Sequence, residues 1–356
     1  MQRNKVIFLN SNQAKSGYLY DVQLPEEYVF GCRFLGCGII DRTHTLDFGF
    51  DYSVLDLIPE ENCTSTIFSE LCDGVGIELT ERAIESKKNI RVLWSGGIDS
   101  TVALISLMKA SEKLETSNYL QVMLTMDSVN EYPDFYKNYI IGKYKTIPCS
   151  SPISEFLELD CVNVTGEHGD QLFGSHLLKE EVETGSAYLK YKDVLPLKLM
   201  QFFSSSKKVD RLMKYIEPQI DASPIRINTL FDCIWWLNFS LKWQQVTLRL
   251  PVFRMRDVEE TYNSIYHFFR DSRFQAWSLA NSSLRKEVFA WKDYKSVAKE
   301  YIYSFANDSM YRSGKVKEPS LKKVMVKRNV RKNHFYRISM KEDFIPDVTL
   351  VERKRT

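Results

Sequence analysis

A run of small and hydroxylated residues, Ser-Gly-Gly-Ile-Asp-Ser at positions 95–100, separates two apolar stretches of the chain. The two glycines let the backbone turn tightly and leave its amides open to an anion. The helix that follows directs the positive end of its dipole to the same place. Asp99 would repel a phosphate, so we expect it to bind a Mg²⁺ ion that bridges to the phosphates of ATP. The residues predicted to contact the nucleotide here are Ser95, Gly96, Gly97, Asp99, Ser100 and Thr101.

A second run with related chemistry lies at residues 165–174, Thr-Gly-Glu-His-Gly-Asp-Gln-Leu-Phe-Gly, after another β-prone stretch. Gly166 and Gly169 permit a further turn at the end of a strand, and Gly166 is also predicted to contact the nucleotide. Asp170 can then reach the metal ion that Asp99 binds, and Glu167 lies beside them as a possible proton acceptor. Taken alone, each run also fits a glycine-rich turn that caps a helix. Together they favour one shared nucleotide and metal site.

The two runs resemble the signatures of a known enzyme superfamily. The first resembles the SGGxDS loop of the PP-loop ATP pyrophosphatases, which include asparagine, β-lactam, NAD and GMP synthetases and tRNA-modifying enzymes. The second is similar to the SGEGxDELFGG segment of the asparagine synthetase and β-lactam synthetase branch. This resemblance implies that ATP is cleaved between its α and β phosphates, with an adenylated substrate and released pyrophosphate. It also implies that Asp170 binds metal and that Glu167 is the general base or supports it.

The chain departs from that branch at a few positions of the second run. Thr165 stands in place of the usual Ser, Gln171 in place of Glu, and Ser175 with His176 in place of Gly-Tyr. The interval between the two runs also looks shorter than in full asparagine synthetases. These departures bear on aspartate as the substrate more than on the ATP chemistry.

A weaker resemblance lies downstream, in residues 293–299 and 310–315. It matches the family's helix and the RxK element that follows, with one residue inserted between Arg312 and Lys315. In the family this lysine neutralises charge during adenylation and amide formation. A fixed ammonium in a dry site stabilises the negative charge of the transition state. Lys315 is therefore the first candidate and Lys317 the second, and a solvated basic run is the alternative.

The start of the chain differs from that of asparagine synthetases, which carry a glutaminase domain whose nucleophile is the cysteine after Met1. Here Gln2 follows Met1, and the first cysteine is Cys32. We therefore expect the nitrogen to come from free ammonia, an amine substrate, an amine within the same substrate, or a separate amidotransferase partner.

Alternating elements must position these residues. Apolar, β-branched runs at 90–94, 120–125 and 161–164 predict three buried strands with helices between them, and a helix is expected after Pro133. This pattern predicts an α/β fold with a doubly wound, mostly parallel sheet. The resemblance to the PP-loop enzymes implies, in addition, a fold like that of the adenine nucleotide alpha hydrolases. Further helices are expected at 194–203, 209–216, 227–248, 258–269 and 293–305.

The chain divides into three predicted parts. Residues 1–65 hold β-prone runs near 18–20, 28–30 and 32–35, broken by glycines, and form a small β-rich N-terminal region. Residues 66–320 form the synthetase domain, with a largely helical insert or subdomain from about 177. Residues 321–356 form a basic C-terminal tail.

Composition sets broad limits. A net charge of +2 says little about partners. The seven cysteines are odd in number and contain no CxxC pair, so we interpret them as reduced thiols of a cytoplasmic protein. The most apolar stretch, residues 231–241, contains Asp232 and is too short to span a membrane, so no membrane partner is expected.

The sequence thus predicts an ATP-dependent, AMP-forming ligase. It would use Mg²⁺ and join a small-molecule carboxylate to ammonia or an amine, with the adenine near the strand ends at Leu93 and Leu124. An alternative is a PP-loop enzyme that modifies a nucleic-acid base, because the tail from Lys315 to Lys332 is rich in lysine and arginine. A non-catalytic member that kept the fold is the third hypothesis, and the presence of Asp99, Glu167 and Asp170 argues against it.

Overall fold

A computed structural model describes residues 5–19, 22–60, 67–150, 153–254, 258–316, 334–340 and 346–352. The strands are β1 (Lys5–Leu9), β2 (Tyr18–Leu19), β3 (Val22–Gln23), β4 (Asn89–Leu93), β5 (Leu120–Leu124), β6 (Lys145–Pro148), β7 (Cys161–Thr165), β8 (Ile265–His267), β9 (His334–Met340) and β10 (Pro346–Glu352). Short 3₁₀ turns lie at Ser117–Tyr119, Ile153–Phe156, His176–Leu178, Ser186–Tyr188, Phe268–Arg270 and Trp291–Asp293, and a π-helical turn at Tyr136–Ile140.

The α-helices are more numerous than the strands. In chain order they are α1 (Ser11–Ser16), α2 (Glu26–Leu35), α3 (Phe68–Glu85), α4 (Ile98–Lys113), α5 (Met126–Glu131), α6 (Pro133–Phe135), α7 (Gly169–Phe173), α8 (Lys179–Glu183), α9 (Tyr191–Phe203), α10 (Ser206–Asp221), α11 (Leu230–Leu241), α12 (Trp243–Arg254), α13 (Val258–Ser264), α14 (Ser272–Ala280), α15 (Ser282–Lys286), α16 (Ser296–Ala306) and α17 (Ser309–Gly314).

The chain divides into two compact units. The first, which we call the sheet unit, takes in the described residues of 62–173 and 250–328. The second takes in those of 1–61, 174–249 and 329–356. The helical segment that we expected from about residue 177 therefore groups with the N-terminal residues.

The sheet unit has an α/β fold built on a doubly wound, five-stranded parallel sheet in the order β6-β5-β4-β7-β8. The three predicted strands are present as β4, β5 and β7, which confirms the predicted fold class. The chain first adds β5 and β6 on one side of β4 and then β7 and β8 on the other. The order therefore reverses between β4 and β7, which is where sheets of this kind bind ligands.

Two strands of this sheet were not predicted. The edge strand β6 has a half-exposed sequence, Lys-Thr-Ile-Pro, which lacks the apolar run typical of a buried strand. The helix expected at 258–269 is wrong in its second half, because α13 ends at Ser264 and β8 follows. The local pattern of this segment is ambiguous between helix and strand. Its long-range pairing with β7 makes it a strand.

One face of the sheet is covered by a closely packed helix pair, α3 and α4. The helix α3 runs unbroken through Gly74 and Gly76. A Cβ added at Gly76 would lie 2.6 Å from the carbonyl oxygen of Ser106 on α4, so a glycine is needed where the two backbones meet. Apart from the chain neighbours and the backbone of α3 itself, no atom lies within 4 Å of a Cβ added at Gly74. The two glycines therefore have different reasons to be present.

The second unit begins with short strands, as expected, but also with helices. Strand β2 lies at the predicted 18–20 run. The runs at 28–30 and 32–35 are not strands, because both lie in α2. That helix starts after Pro25, has Glu26 and Glu27 in its first turn, and ends at Gly36, whose φ is +76°. Helix-terminal signals and burial of its apolar residues thus prevail over strand propensity.

The core of the second unit is aromatic and lies around α11, every residue of which is buried. The segment predicted as one helix at 227–248 is two helices, α11 and α12, separated at Lys242. The predicted helices at 194–203 and 209–216 lie within α9 and α10. The guanidinium of Arg42 lies 4.6 Å from the ring centre of Trp243, so a buried cation is held by aromatic faces.

Among the described residues, no helix is long and apolar enough to cross a membrane. The described cysteines, which do not include Cys63, are all free thiols.

The two glycines of α3 give a matched pair of variants. We expect Gly76→Ala to destabilise the protein by about 1–3 kcal/mol, because its methyl group would meet the backbone of α4. We expect Gly74→Ala to stabilise it by about 0.5–1 kcal/mol, because alanine favours a helix and meets nothing there. Urea unfolding of both variants would measure this. Equal effects of the same sign would contradict the packing of α3 on α4.

Candidate functional site

The two predicted loops meet at the carboxyl edge of the sheet. Leu93 and Thr165 are paired residues at the ends of the neighbouring parallel strands β4 and β7, so both loops leave the sheet side by side. A Cβ added at Gly166 would lie 2.5 Å from the backbone nitrogen of Ser100 and 2.6 Å from the carbonyl carbon of Asp99. The backbones of the two loops are therefore in direct contact, at the point where the strand order reverses.

The first loop is held in shape by its own hydroxyls. The Oγ atoms of Ser95 and Ser100 lie 2.9 Å apart, and Ser100 Oγ accepts a hydrogen bond from the amide of Ser95 at 3.1 Å. Thr101 is fully buried; its hydroxyl donates to the carbonyl of Gly97 at 2.8 Å and accepts from the indole of Trp94 at 3.0 Å. Thr101 thus braces the loop from inside, and a phosphate contact from it stays a prediction.

Two independent features require a glycine at position 96. Its φ of +74° lies in the left-handed region. A Cβ there would also lie 2.4 Å from the carbonyl oxygen of Ser128 and 2.7 Å from the Cβ of Glu131. Gly97 precedes α4 as its N-cap residue, with no side chain capping the helix. The amino end of this 16-residue helix faces the loop, and no side chain caps it.

Asp99 and Asp170 converge on a single cation, the ammonium of Lys295. Lys295 Nζ lies 2.6 Å from both carboxylate oxygens of Asp99 and 2.7 Å from Oδ1 of Asp170. The Lys295 side chain is fully buried, whereas those of Asp99 and Asp170 are 11% and 35% exposed. The two predicted metal ligands are thus neighbours across the two loops, with one buried positive charge between them.

Lys295 was not among the predicted site residues. It appeared only within the weakly matching segment 293–299, and nothing in its local sequence marks it as a partner of two aspartates 196 and 125 positions away, respectively. Its backbone is left-handed, with φ +62°, immediately before α16. Because such a conformation is unfavourable for lysine, the surrounding contacts must hold it in place.

Gly169 explains how Asp99 comes so close to the second loop. A Cβ at position 169 would lie 2.3 Å from Oδ1 of Asp99. The Asp99 carboxylate therefore packs directly on the backbone of the turn that precedes Asp170. Next to them, burial raises the pKa of the Tyr294 phenol well above its usual value, and the charges of Asp170 and Asp99 add to this effect. Tyr294 therefore remains protonated and neutral beside the two carboxylates.

Glu167 is buried in the second loop, where its backbone is tied to the last strand of the sheet. Its amide donates to Oγ1 of Thr165 at 3.2 Å, and that hydroxyl lies 2.7 Å from Nδ1 of His267 at the end of β8. His168, in a left-handed conformation with φ +72°, packs edge-on against His267. Neither histidine was predicted to take part in the site. His267 ends β8, which was not predicted, and His168 was given no role within the second run.

The donor set fits a Mg²⁺ ion bound together with phosphates. Asp99 and Asp170 both reach one cationic nitrogen, so both can contact one positive ion. Mg²⁺ at phosphate sites is held by one or two carboxylates plus the phosphates themselves. No group of three or more His, Cys, Asp or Glu side chains that could hold a metal occurs in the described ranges, so a site made of protein ligands alone is not indicated there.

Lys315 lies next to the first loop. Its ammonium forms an ion pair with Glu131 at the end of α5, and Glu131 is one of the residues that a Cβ added at Gly96 would meet. Arg312 instead pairs with Glu300 at 2.7 Å. Lys317 and the basic run that follows it, on which the nucleic-acid alternative depends, lie outside the described residues.

The strand-end residues predicted near the adenine are at the expected edge of the sheet. Leu124 ends β5, and its carbonyl accepts a hydrogen bond from the amide of Cys149 at 3.0 Å. Leu93 ends β4 and packs against an apolar cluster of Leu157, Leu250 and Ile265. A contact of either residue with adenine stays a prediction.

No family model matches the chain, and no curated protein matches it significantly. The site is therefore supported by the two motifs and by the geometry of the loops that carry them.

Removing the central cation should be costly. Lys295→Met leaves two carboxylates close together without their counter-charge, so we expect a loss of about 3–5 kcal/mol in unfolding free energy. Adding Asp99→Asn to that variant should restore part of the loss, because it removes one of the two like charges. The exposed neighbour Lys292→Met is the control, and a similar small effect of both lysine variants would contradict the assigned geometry.

The buried Lys299 gives a pH-dependent prediction. Burial lowers its pKa to about 8. The positive charge of Lys315 also lowers this pKa, whereas the negative charge of Asp293 raises it. Between about pH 8 and the ordinary lysine pKa the unfolded chain binds the extra proton, so stability rises with pH there, by at most about 1.4 kcal/mol per pH unit. The variant Lys299→Met lacks the titrating amine and therefore this dependence of stability on pH.

The measurement for Lys299 is the difference in unfolding free energy between the parent and Lys299→Met at several pH values. We expect this difference to shift in favour of the parent from pH 8 to pH 10. Ionising tyrosines cancel, because both proteins contain them. Lys292→Met should show a flat difference, and a flat result for Lys299→Met would show that this amine titrates normally.

Proposed function

We propose that the protein is an ATP-dependent, AMP-forming ligase that makes carbon–nitrogen bonds. It would adenylate a carboxylate, release pyrophosphate and transfer the acyl group to ammonia or an amine. The observation that supports this best is the meeting of Asp99 and Asp170 at one cation, on two loops whose backbones touch at the switch point of the sheet.

The phosphates of ATP would lie over residues 95–101. This loop offers backbone amides next to two glycines and the amino end of α4, whose dipole favours an anion. Ser95 and Ser100, whose hydroxyls bond each other, can each turn a hydroxyl toward a phosphate oxygen. Two ammonium groups lie near the loop: that of Lys295 bonds Asp99, and that of Lys315 pairs with Glu131.

Asp99 and Asp170 would hold Mg²⁺, which supplies charge neutralisation at the phosphates when bound. Lys295 would keep the two carboxylates together and fix their orientation, whether or not the ion is there. Because Lys295 is fully buried and bonded to both of them, its position does not depend on a ligand.

The chemistry would proceed in two displacements. A carboxylate oxygen of the substrate attacks the α-phosphorus, the bond to the bridging oxygen breaks, and pyrophosphate leaves with the electron pair. The amine then attacks the acyl carbon, the carbon–oxygen bond breaks, and AMP leaves. Glu167, next to Asp170 in the second loop, would accept the proton that the amine loses. Lys315 would stabilise the negative charge that develops on the phosphates and the acyl oxygen.

Besides ATP, the proposed substrates are a small-molecule carboxylate and either ammonia or an amine. Ammonia could be supplied free or by a separate amidotransferase.

The test uses ATP labelled at its α-phosphate and pools of candidate carboxylates and amines. We expect AMP and pyrophosphate as products and no ADP. Asp99→Ala and Asp170→Ala should each lower the rate at least about a hundredfold, the scale of one lost electrostatic contact to the transition state. Asp160→Ala is the control, because that side chain is 97% exposed. Formation of ADP, or equal rates in all variants, would refute the proposal.

A further inference from the structure

The predicted catalytic lysine already has a partner of opposite charge. Lys315 follows α17, and its ammonium forms an ion pair with Oε1 of Glu131. The two side chains are 13% and 21% exposed, so the pair is largely shielded from water. A shielded ion pair is screened less by salt and holds its partners more firmly than a surface pair.

Glu131 is also part of the wall of the phosphate loop. Its Cβ and Cγ lie 2.7 Å and 3.0 Å from where a Cβ of Gly96 would be. Glu131 therefore stands against the first glycine of the loop, with its carboxylate directed to Lys315. A carboxylate at this position would repel a polyphosphate bound at residues 95–100, and it neutralises the lysine that would attract one.

Other contacts hold the segment of Lys315 in place without this ion pair. The rings of Tyr132 and Tyr311 are stacked, with centres 3.9 Å apart. The hydroxyl of Tyr132 donates to Asp308 at 3.0 Å, and Asp308 caps α17 by accepting from the amide of Tyr311 at 2.8 Å. These contacts fix the backbone next to Glu131 and the helix that precedes Lys315. Breaking the ion pair would therefore release the Lys315 side chain alone.

We propose that Glu131 is a counter-ion latch for Lys315: it holds the ammonium while the site is free, and a bound polyphosphate takes the ammonium from it. This inference rests on the proposed function, since it takes residues 95–101 as the phosphate site. The ligand class is a polyphosphate with Mg²⁺, either ATP or pyrophosphate. Glu131 thereby sets how much of the Lys315 charge is available to the ligand.

The test compares binding of magnesium pyrophosphate, and of ATP with a methylene group between its α and β phosphates, by isothermal titration calorimetry. Glu131→Gln keeps the shape of the side chain and removes its charge. We expect it to bind both ligands roughly fivefold more tightly than the parent, because no ion pair has to be broken. Lys315→Gln should bind them more weakly than the parent.

The double variant distinguishes a latch from simple repulsion. If Glu131 acts mainly through Lys315, then Glu131→Gln tightens binding clearly less in the Lys315→Gln background than in the parent. If the full tightening persists there, Glu131 only repels the ligand and the latch is refuted. Equal or weaker binding by Glu131→Gln alone also refutes it. Glu112→Gln, on the exposed end of α4, is the matched control and should bind like the parent.

Two further outcomes keep the latch separate from the proposed function. If the parent binds neither ligand, the phosphate site itself is wrong and the latch is rejected with it. If the parent binds and Glu131→Gln changes nothing, only the latch is rejected. Should Glu131→Gln fail to fold, Glu131→Asp replaces it. The shorter acid cannot reach Lys315 as well, so it should bind more tightly than the parent, and unchanged binding would refute the latch.

Discussion

Two carboxylates of like charge face each other at the carboxyl edge of the sheet, and the site depends on how that repulsion is offset. Asp99 and Asp170 are kept together by the ammonium of Lys295, which reaches oxygens of both. The arrangement leaves one negative charge in excess, so it still attracts a cation. Several costly features serve this contact, among them the left-handed backbone of Lys295 and a glycine at 169 against the Asp99 carboxylate.

The topology of the sheet accounts for the meeting of residues that are far apart in sequence. In a parallel sheet all carboxyl ends lie at one edge, and the helices on either side of a switch point diverge and leave a crevice. β4 and β7 are the strands that flank this point, and each is followed directly by one of the two glycine-rich loops. The loops need no long-range recognition of their own, because pairing of Leu93 with Thr165 already brings them together.

Local patterns predicted the parts of the site that are local in origin. The apolar runs of β4, β5 and β7 and the two glycine-rich loops are each specified by adjacent residues, so sequence was enough for them. The helix α2 carries local signals, with Glu26 and Glu27 in its first turn and Gly36 after its last residue, but strand propensity was given more weight. The strand β8 could not be predicted locally, because its pairing with β7 decides its structure. Lys295 was missed as a site residue for the same reason: its partners lie on other elements, and no spacing rule connects them.

Burial separates the two lysines of the site into different roles. Lys295 has no exposed side-chain surface and bonds two carboxylates, so moving it would leave two like charges close together without their counter-charge. Lys315 keeps some exposed surface and has one carboxylate partner, which is itself partly exposed. Moving Lys315 therefore exposes one acid that water can reach. Under the proposed latch, the site combines a fixed cation that maintains its shape with a cation that changes partners, and only the second kind responds to an incoming anion.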